Sequence, residues 1–249
     1  KSVAVNTRIR WIILLFLFVA TTLLYLDRSA LGIMAPFLQD EIGWTEKQYG
    51  NINSAFMAGY ALCFLIMGVI VDRIGTKTGY AISVGLWAVA QASTALARSW
   101  IGFALARLGL SVGQSGNFPV ANKALAEWFP KKERAFAVGL YNGGSNVGTL
   151  LSPLIIPVVV SAYGNDWRAA FLWTLPISVI WIICWLFFYK KPEKHRLVGK
   201  QEMDHINSDL ETESPGKIKW TELLKKKEVW GICAGKFMAD PIWWFYLFW

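Results

Sequence analysis

Asp27 and Arg28 stand side by side inside a long apolar run, Arg107 lies inside another, and Lys236 and Asp240 sit four residues apart in a third. On insertion scales an ionised side chain at membrane depth costs at least about 2.5–3.5 kcal/mol, so such residues face a polar cavity or a partner charge. Two chemistries are open to the set: internal charge pairing that ties helices together, or capture of an anion. Arg28 and Arg107, on different helices, attract an anion far more strongly in a cavity of reduced dielectric than in water. The planar arginine fork also matches a carboxylate with two parallel hydrogen bonds. Lys236 and Asp240, at i,i+4 spacing, can instead satisfy each other.

Polar residues at helical spacing form a second layer. Arg107, Ser111 and Gln114 recur at i, i+4, i+7, with Asn117 close by; Asn142, Ser145, Asn146 and Thr149 recur at i, i+3, i+4, i+7. Asn53 and Tyr60 are seven apart and share a face, Tyr60 offering both an aromatic wall and a hydroxyl. Such stripes either hydrogen-bond the hydroxyls of a polyol or sugar acid or join helices as small-polar glue. Gly139, Gly143, Gly144 and Gly148, with Gly109, Gly113 and Gly116, allow close helix approach.

The elements that must position these residues are apolar helices. The chain has 249 residues, 55% hydrophobic and 17% charged, which is too apolar for an ordinary soluble enzyme. Stretches long enough to cross about 30 Å of hydrocarbon lie at 11–38, 47–71, 78–97, 101–128, 135–162, 167–189 and 229–249. The first run exceeds the apolar region of a signal peptide and reads as a retained helix. The formal net charge of +8 is spread through short loops, a pattern for lipid headgroups and not for nucleic acid. Cys63, Cys184 and Cys233 are scattered in apolar runs and offer neither a disulfide framework nor metal-ligand spacing. No metal and no cofactor other than protons is expected.

Lys and Arg gather on one side. Lys1, Arg8 and Arg10 precede the first span, Arg73 and Lys77 follow the second, Lys131, Lys132 and Arg134 follow the fourth, and ten occupy 190–227. The other side has Lys47, Arg98 and Arg168. The positive excess places the amino terminus and the long loop in the cytoplasm. The expected organisation is a six-helix bundle over 1–189, a cytoplasmic linker over 190–227 and the start of a seventh helix over 228–249. That is half of a two-bundle transporter plus the first helix of the other half, so the sequence reads as truncated.

After the second span the chain runs Gly68-Val-Ile-Val-Asp72-Arg73-Ile-Gly75-Thr-Lys77, which resembles the G-x-x-x-D-R-x-G-x-[RK] signature of the major facilitator superfamily. Pro130-Lys-Lys-Glu133-Arg134 is similar to the related P-x-x-E-R element. The resemblance implies an all-α bundle of two inverted three-helix repeats, with Asp72, Arg73, Glu133 and Arg134 forming a cytoplasmic gate. Tyr25-Leu-Asp27-Arg28, Asn117-Phe-Pro119, Glu127-Trp-Phe-Pro130 and Asp240-Pro-Ile-Trp243-Trp244-Phe-Tyr246 resemble the anion:cation symporter family, in particular its bacterial hexuronate and galactonate branch. That likeness implies Asp27 as a protonation site, Arg28 and Tyr60 on the substrate, and Arg107 as a cavity cation coupled to an acid on its own helix. Where the family pattern has that glutamate, this chain has Gln114.

The expected activity is proton-coupled symport of a sugar acid, a hexuronate or aldonate such as glucuronate, galacturonate or galactonate, by a monomer in a bacterial inner membrane. Asn53, Asn142, Ser145, Asn146, Trp243 and Tyr246 join Arg28 and Tyr60 as candidate substrate contacts. A phosphate-ester antiporter, with Arg28 and Lys236 as its cations, and a vesicular-type organic-anion carrier remain alternatives. An embedded enzyme has no support: both histidines, His195 and His205, fall outside the spans, and neither H-E-x-x-H nor G-x-S-x-G occurs.

Overall fold

The computed structural model describes residues 8–209 and 225–248, and the side chains at 209, 243, 247 and 248 lie outside the described residues. The described α-helices are α1 (Ile9–Ile42), α2 (Glu46–Ile74), α3 (Thr76–Thr94), α4 (Trp100–Gln114), α5 (Asn117–Trp128), α6 (Lys131–Ala162), α7 (Ala169–Leu172), α8 (Thr174–Phe188) and α10 (Lys227–Phe248), with α9 (Lys200–Ile206) a short helix of the linker. Among the described residues four stretches, α1, α2, α6 and Ala169–Phe188, are long and apolar enough by themselves to cross a membrane. The expected spans at 78–97 and 101–128 carry buried polar residues, Gln91, Arg107, Gln114 and Asn117.

Local chemistry sets the boundaries. Gly43 closes α1 at φ 75°, a left-handed conformation that glycine adopts without steric cost, and its N–H returns to Gln39 O. Thr45 and Gln48 form a reciprocal capping box at the start of α2. The run expected as one span over 101–128 is two helices. Pro119 has no N–H to donate to Ser115 O, and Ser115 turns its hydroxyl back onto Val112 O at 2.8 Å, so the ladder breaks at Ser115–Gly116. Pro176 has the same effect on the carbonyl of Leu172, which separates α7 from α8.

Packing follows an internal symmetry. α1 lies along α6, and α4 lies along α2. With the fourth span read as α4–α5 and the fifth as α6, exchanging spans one and four, and two and five, maps one pair onto the other, as two inverted three-helix repeats require. Glycines make these approaches possible. Gly144 and Gly148 of α6 face the α1 backbone at Phe18 and Thr22, and a methyl added at Gly113 would lie 2.8 Å from Trp87 Cα. Gly113→Ala is expected to destabilise the α3–α4 contact by about 1–3 kcal/mol through overpacking. A melting temperature in detergent equal to that of the parent protein would show that α3 and α4 can separate at no cost.

Indole and tyrosine groups fix the seam between α1, α3 and α8. Trp181 and Trp185 stack at 5.2 Å between ring centroids, Trp185 and Tyr189 at 4.2 Å, and Tyr80 meets both tryptophans edge-on. Trp181 Nε1 donates to Phe16 O and Trp185 Nε1 to Lys77 O. The linker is tied to the bundle at the same end. Glu202 of α9, 1% exposed, accepts from the backbone N–H groups of Ile9 and Arg10, capping α1 from a residue 193 positions away. The three cysteines are free.

Candidate functional site

Asp27 and Arg28 are adjacent in sequence but a helix turns about 100° per residue, so they face different neighbours. Asp27, 1% exposed, accepts the Thr174 hydroxyl on Oδ1 at 2.6 Å, and Gln91 Nε2 donates to its carbonyl at 3.3 Å. Its Oδ2 is buried with no hydrogen-bond partner, and among the described residues it forms no ion pair within 4.0 Å. Internal pairing of Asp27 with Arg28 is therefore not what holds either residue.

Arg28 is fully buried on the other side of α1. Its Nε donates to Gln114 Oε1 at 3.1 Å, while Gln114 Nε2 donates to Leu24 O at 3.3 Å. Four rings box the guanidinium: Tyr25, Phe56, Tyr60 and Trp244, each with its centroid 4.9–5.1 Å from Arg28 Cζ. Cation–π attraction stabilises a desolvated guanidinium by roughly 2 kcal/mol or more. Arg28 Nη1 and Nη2 nevertheless have no hydrogen-bond partner among the described residues. Two parallel donors without acceptors are what a carboxylate would satisfy.

Arg107 completes the centre. Its Nη2 donates to Arg28 O at 3.3 Å, so it braces the backbone of the residue expected on the substrate, and its Nε and Nη1 are buried without hydrogen-bond partners among the described residues. Ser111 spends its hydroxyl on Leu108 O, and Asn117 is held between Tyr80, which donates to its Oδ1, and Thr21, which accepts from its Nδ2. Asn117 thus joins α5 to α3 and α1, whereas the Ser111 bond stays within α4.

A cavity of about 700 Å³ lies beside this centre, lined by residues including Tyr25, Tyr60, Asn122, Tyr141, Asn142, Lys236, Asp240 and Trp244. Tyr25, Tyr60 and Trp244 belong both to the cavity wall and to the box around Arg28. Arg28 thus stands one ring-layer behind the wall. The remaining sequence candidates fall in varied places. Asn142 lines the cavity; Ser145 donates to Asn142 O at 2.6 Å; Asn146 and Tyr246 are exposed; Asn53 is buried in α2 and does not line the cavity. The Trp243 side chain lies outside the described residues. Lys236 and Asp240 bond each other at 3.3 Å.

The four expected gate residues do not pair among themselves. Asp72 pairs with Lys123 at 2.8 Å, Glu133 with Arg10 at 3.4 Å and with His205 at 2.8 Å, and Arg134 donates to the carbonyls of Ala126 and Phe129. Arg73 is exposed. Sequence reasoning did not single out Lys123, Gln91, Thr174 or Glu202. Lys123 carried a readable signal, a charge inside an apolar run; Gln91 and Thr174 are single polar residues whose meaning depends on what faces them.

Residues 17–249 fit the model of the Major Facilitator Superfamily. The chain belongs to that superfamily. Among its relatives are a galacturonate transporter of Dickeya chrysanthemi, 37% identical over 94% of this chain and 69% of its own length, and a hexuronate transporter of Escherichia coli K12, 36% identical over 94% and 55%. A D-galactonate transporter of Escherichia coli O6:H1 is 29% identical over 97% and 58%. The chain spans about half the length of most of the curated relatives it matches. A solved bacterial homologue of the human lysosomal transporter Spinster, in an inward-facing and unoccupied conformation, shares the fold with a TM-score of 0.66 at 23% identity, over 75% of this chain and 44% of that one. Superfamily membership and apolar helices make this a multi-pass membrane protein, and a family of transporters sets enzymatic activity aside.

Proposed function

We propose that the intact protein takes up a sugar acid, a hexuronate or aldonate, together with protons across a bacterial inner membrane, with amino terminus and linker cytoplasmic. The observation that carries the reading is Arg28: a buried guanidinium with two free donors, separated from a 700 Å³ cavity only by aromatic rings. The names of the galacturonate, hexuronate and galactonate relatives support the same substrate class. Displacement of Trp244 with α10 uncovers the arginine; its return seals the bound anion. Rocking of two bundles around a midplane site then exposes it to alternate sides. Asn142 and Tyr60 are placed to meet sugar hydroxyls, and Asp27 is the proton carrier. The protein acts as a monomer. Ion pairing of Lys236 with Asp240 counts against the phosphate-ester antiporter, which needs Lys236 as a free cation. Uptake into liposomes from a panel of sugar acids, with and without a proton uncoupler, tests the reading; uptake of phosphate esters alone would replace it.

Gln114 shapes the coupling. Its amide accepts from Arg28 and donates to Leu24 O. A protonated glutamic acid could reproduce both bonds, whereas an ionised carboxylate would face the Leu24 carbonyl with no proton to give. The chain behaves as if loaded at this position: it binds and exchanges substrate and accumulates it weakly. Gln114→Glu is expected to raise accumulation under an imposed pH gradient by about fivefold or more, the scale of a typical coupling free energy. Equal accumulation by both proteins would remove position 114 from proton coupling.

A further inference from the structure

A second cavity, of about 310 Å³, opens at the linker end of the seam between α3 and α8. Its volume is at the lower end of ligand-sized cavities, roughly 300–1,000 Å³. Four lysines line it: Lys77 in the first turn of α3, and Lys190, Lys191 and Lys194 where α8 passes into the linker. None of the four forms an ion pair within 4.0 Å among the described residues. The one carboxylate present, Glu127, is turned to hydroxyl donors: Thr76 donates to Oε1 at 2.9 Å and Tyr189 to Oε2 at 2.6 Å. It forms part of a hydrogen-bonded lining, and its single negative charge is outnumbered by the lysines. The 19-residue helix α3 begins there with Gly75 as N-cap and no side-chain cap, which adds the positive end of its dipole.

Toward the middle of the bundle the same seam is apolar on its outside. Ile82 and Leu86 of α3 and Ile183, Leu186 and Phe187 of α8 are exposed large hydrophobic residues. A cationic concavity above an apolar strip matches one kind of molecule in shape and charge. We propose that this pocket holds the phosphodiester headgroup of an anionic membrane lipid, with the acyl chains along the α3–α8 strip. Lysines at the cytoplasmic surface attract anionic lipids in this way, and the apolar strip selects a lipid over a free phosphate. The proposal rests on the cytoplasmic orientation given above and not on the transported substrate.

The test is made on the purified chain in mild detergent, so that it needs neither transport nor an orientation. Native mass spectrometry would compare retained dioleoylphosphatidylglycerol with dioleoylphosphatidylcholine. The parent protein is expected to prefer phosphatidylglycerol by about tenfold or more, and the triple variant Lys190→Gln, Lys191→Gln, Lys194→Gln to lose that preference. A control with the same charge change, Lys225→Gln, Lys226→Gln, Lys227→Gln at the start of α10, is expected to keep it. Melting temperatures of both variants report whether each is folded, and Lys194→Gln alone, with a smaller loss expected, serves if the triple variant is not. Retention unchanged in the cavity variants, or lost equally in the control, would reduce the site to general charge attraction. Loss of the bound lipid in millimolar inorganic phosphate would make it a pocket for a soluble anion. Either result overturns the proposal.

Discussion

Arg28→Ala is expected to abolish sugar-acid binding while leaving a folded protein. The guanidinium lies inside a box of four rings with Nη1 and Nη2 lacking acceptors, so a substrate carboxylate has two preplaced donors. Removing one partner of a buried charge-assisted contact costs about 2–5 kcal/mol, and each 1.4 kcal/mol or so is tenfold in affinity. Binding therefore falls by about thirtyfold to several thousandfold. Arg28→Lys restores little, because an ammonium cannot fill the bidentate geometry. Folding is expected to survive with a lowered melting temperature, because alanine removes the bond to Gln114 and the guanidinium packed by four rings but breaks no ion pair within 4.0 Å among the described residues. Ligand-induced thermal stabilisation measured on Arg28→Ala is the check. Stabilisation equal to that of the parent would place the anion elsewhere in the cavity.

Asp27→Asn should erase the accumulation that a pH gradient drives. Asparagine keeps an acceptor for the Thr174 hydroxyl but has no proton to release. With Gln114 unable to titrate, the proposed coupling rests on Asp27. One coupled proton under a pH gradient of one unit supports about tenfold accumulation, or about 1.4 kcal/mol; in Asp27→Asn the ratio should fall toward one, in the parent background and in Gln114→Glu alike. Counterflow exchange should persist, because Arg28 lies on a different face of α1 and retains its partners. A liposome experiment in which Asp27→Asn accumulates sugar acid as well as the parent would leave Asp27 a structural residue joined to Thr174 and Gln91.

Arg107 connects these two effects. It donates to the backbone carbonyl of Arg28 from a position two turns before Gln114 on α4. Movement of α4 against α1 therefore shifts the residue proposed to hold the substrate. Under the proposed mechanism this contact would link substrate occupancy to the state of the bundle.

The sequence by itself determined an all-helical chain of apolar runs with charges set inside them, because apolar run length and the cost of a charge in hydrocarbon are local properties. Asp27, Arg28, Arg107 and Gln114 were legible for that reason, and all four are buried. The signatures around Asp72 and Glu133 carried the superfamily for the same reason: they are contiguous. Partners were not legible. Composition at positions 91 and 174 does not reveal that Gln91 and Thr174 meet Asp27, since those contacts span 64 and 147 residues. Spacing placed Asn146 on a sugar-facing stripe, yet a helix has two sides and the packing of α6 on α1 left that residue exposed. The partners of the gate charges Asp72 and Glu133, namely Lys123, Arg10 and His205, were not legible either. Only the tertiary structure decided which cation faces which anion, because each ion pair's energy depends on a separation of a few ångströms that chain order does not encode.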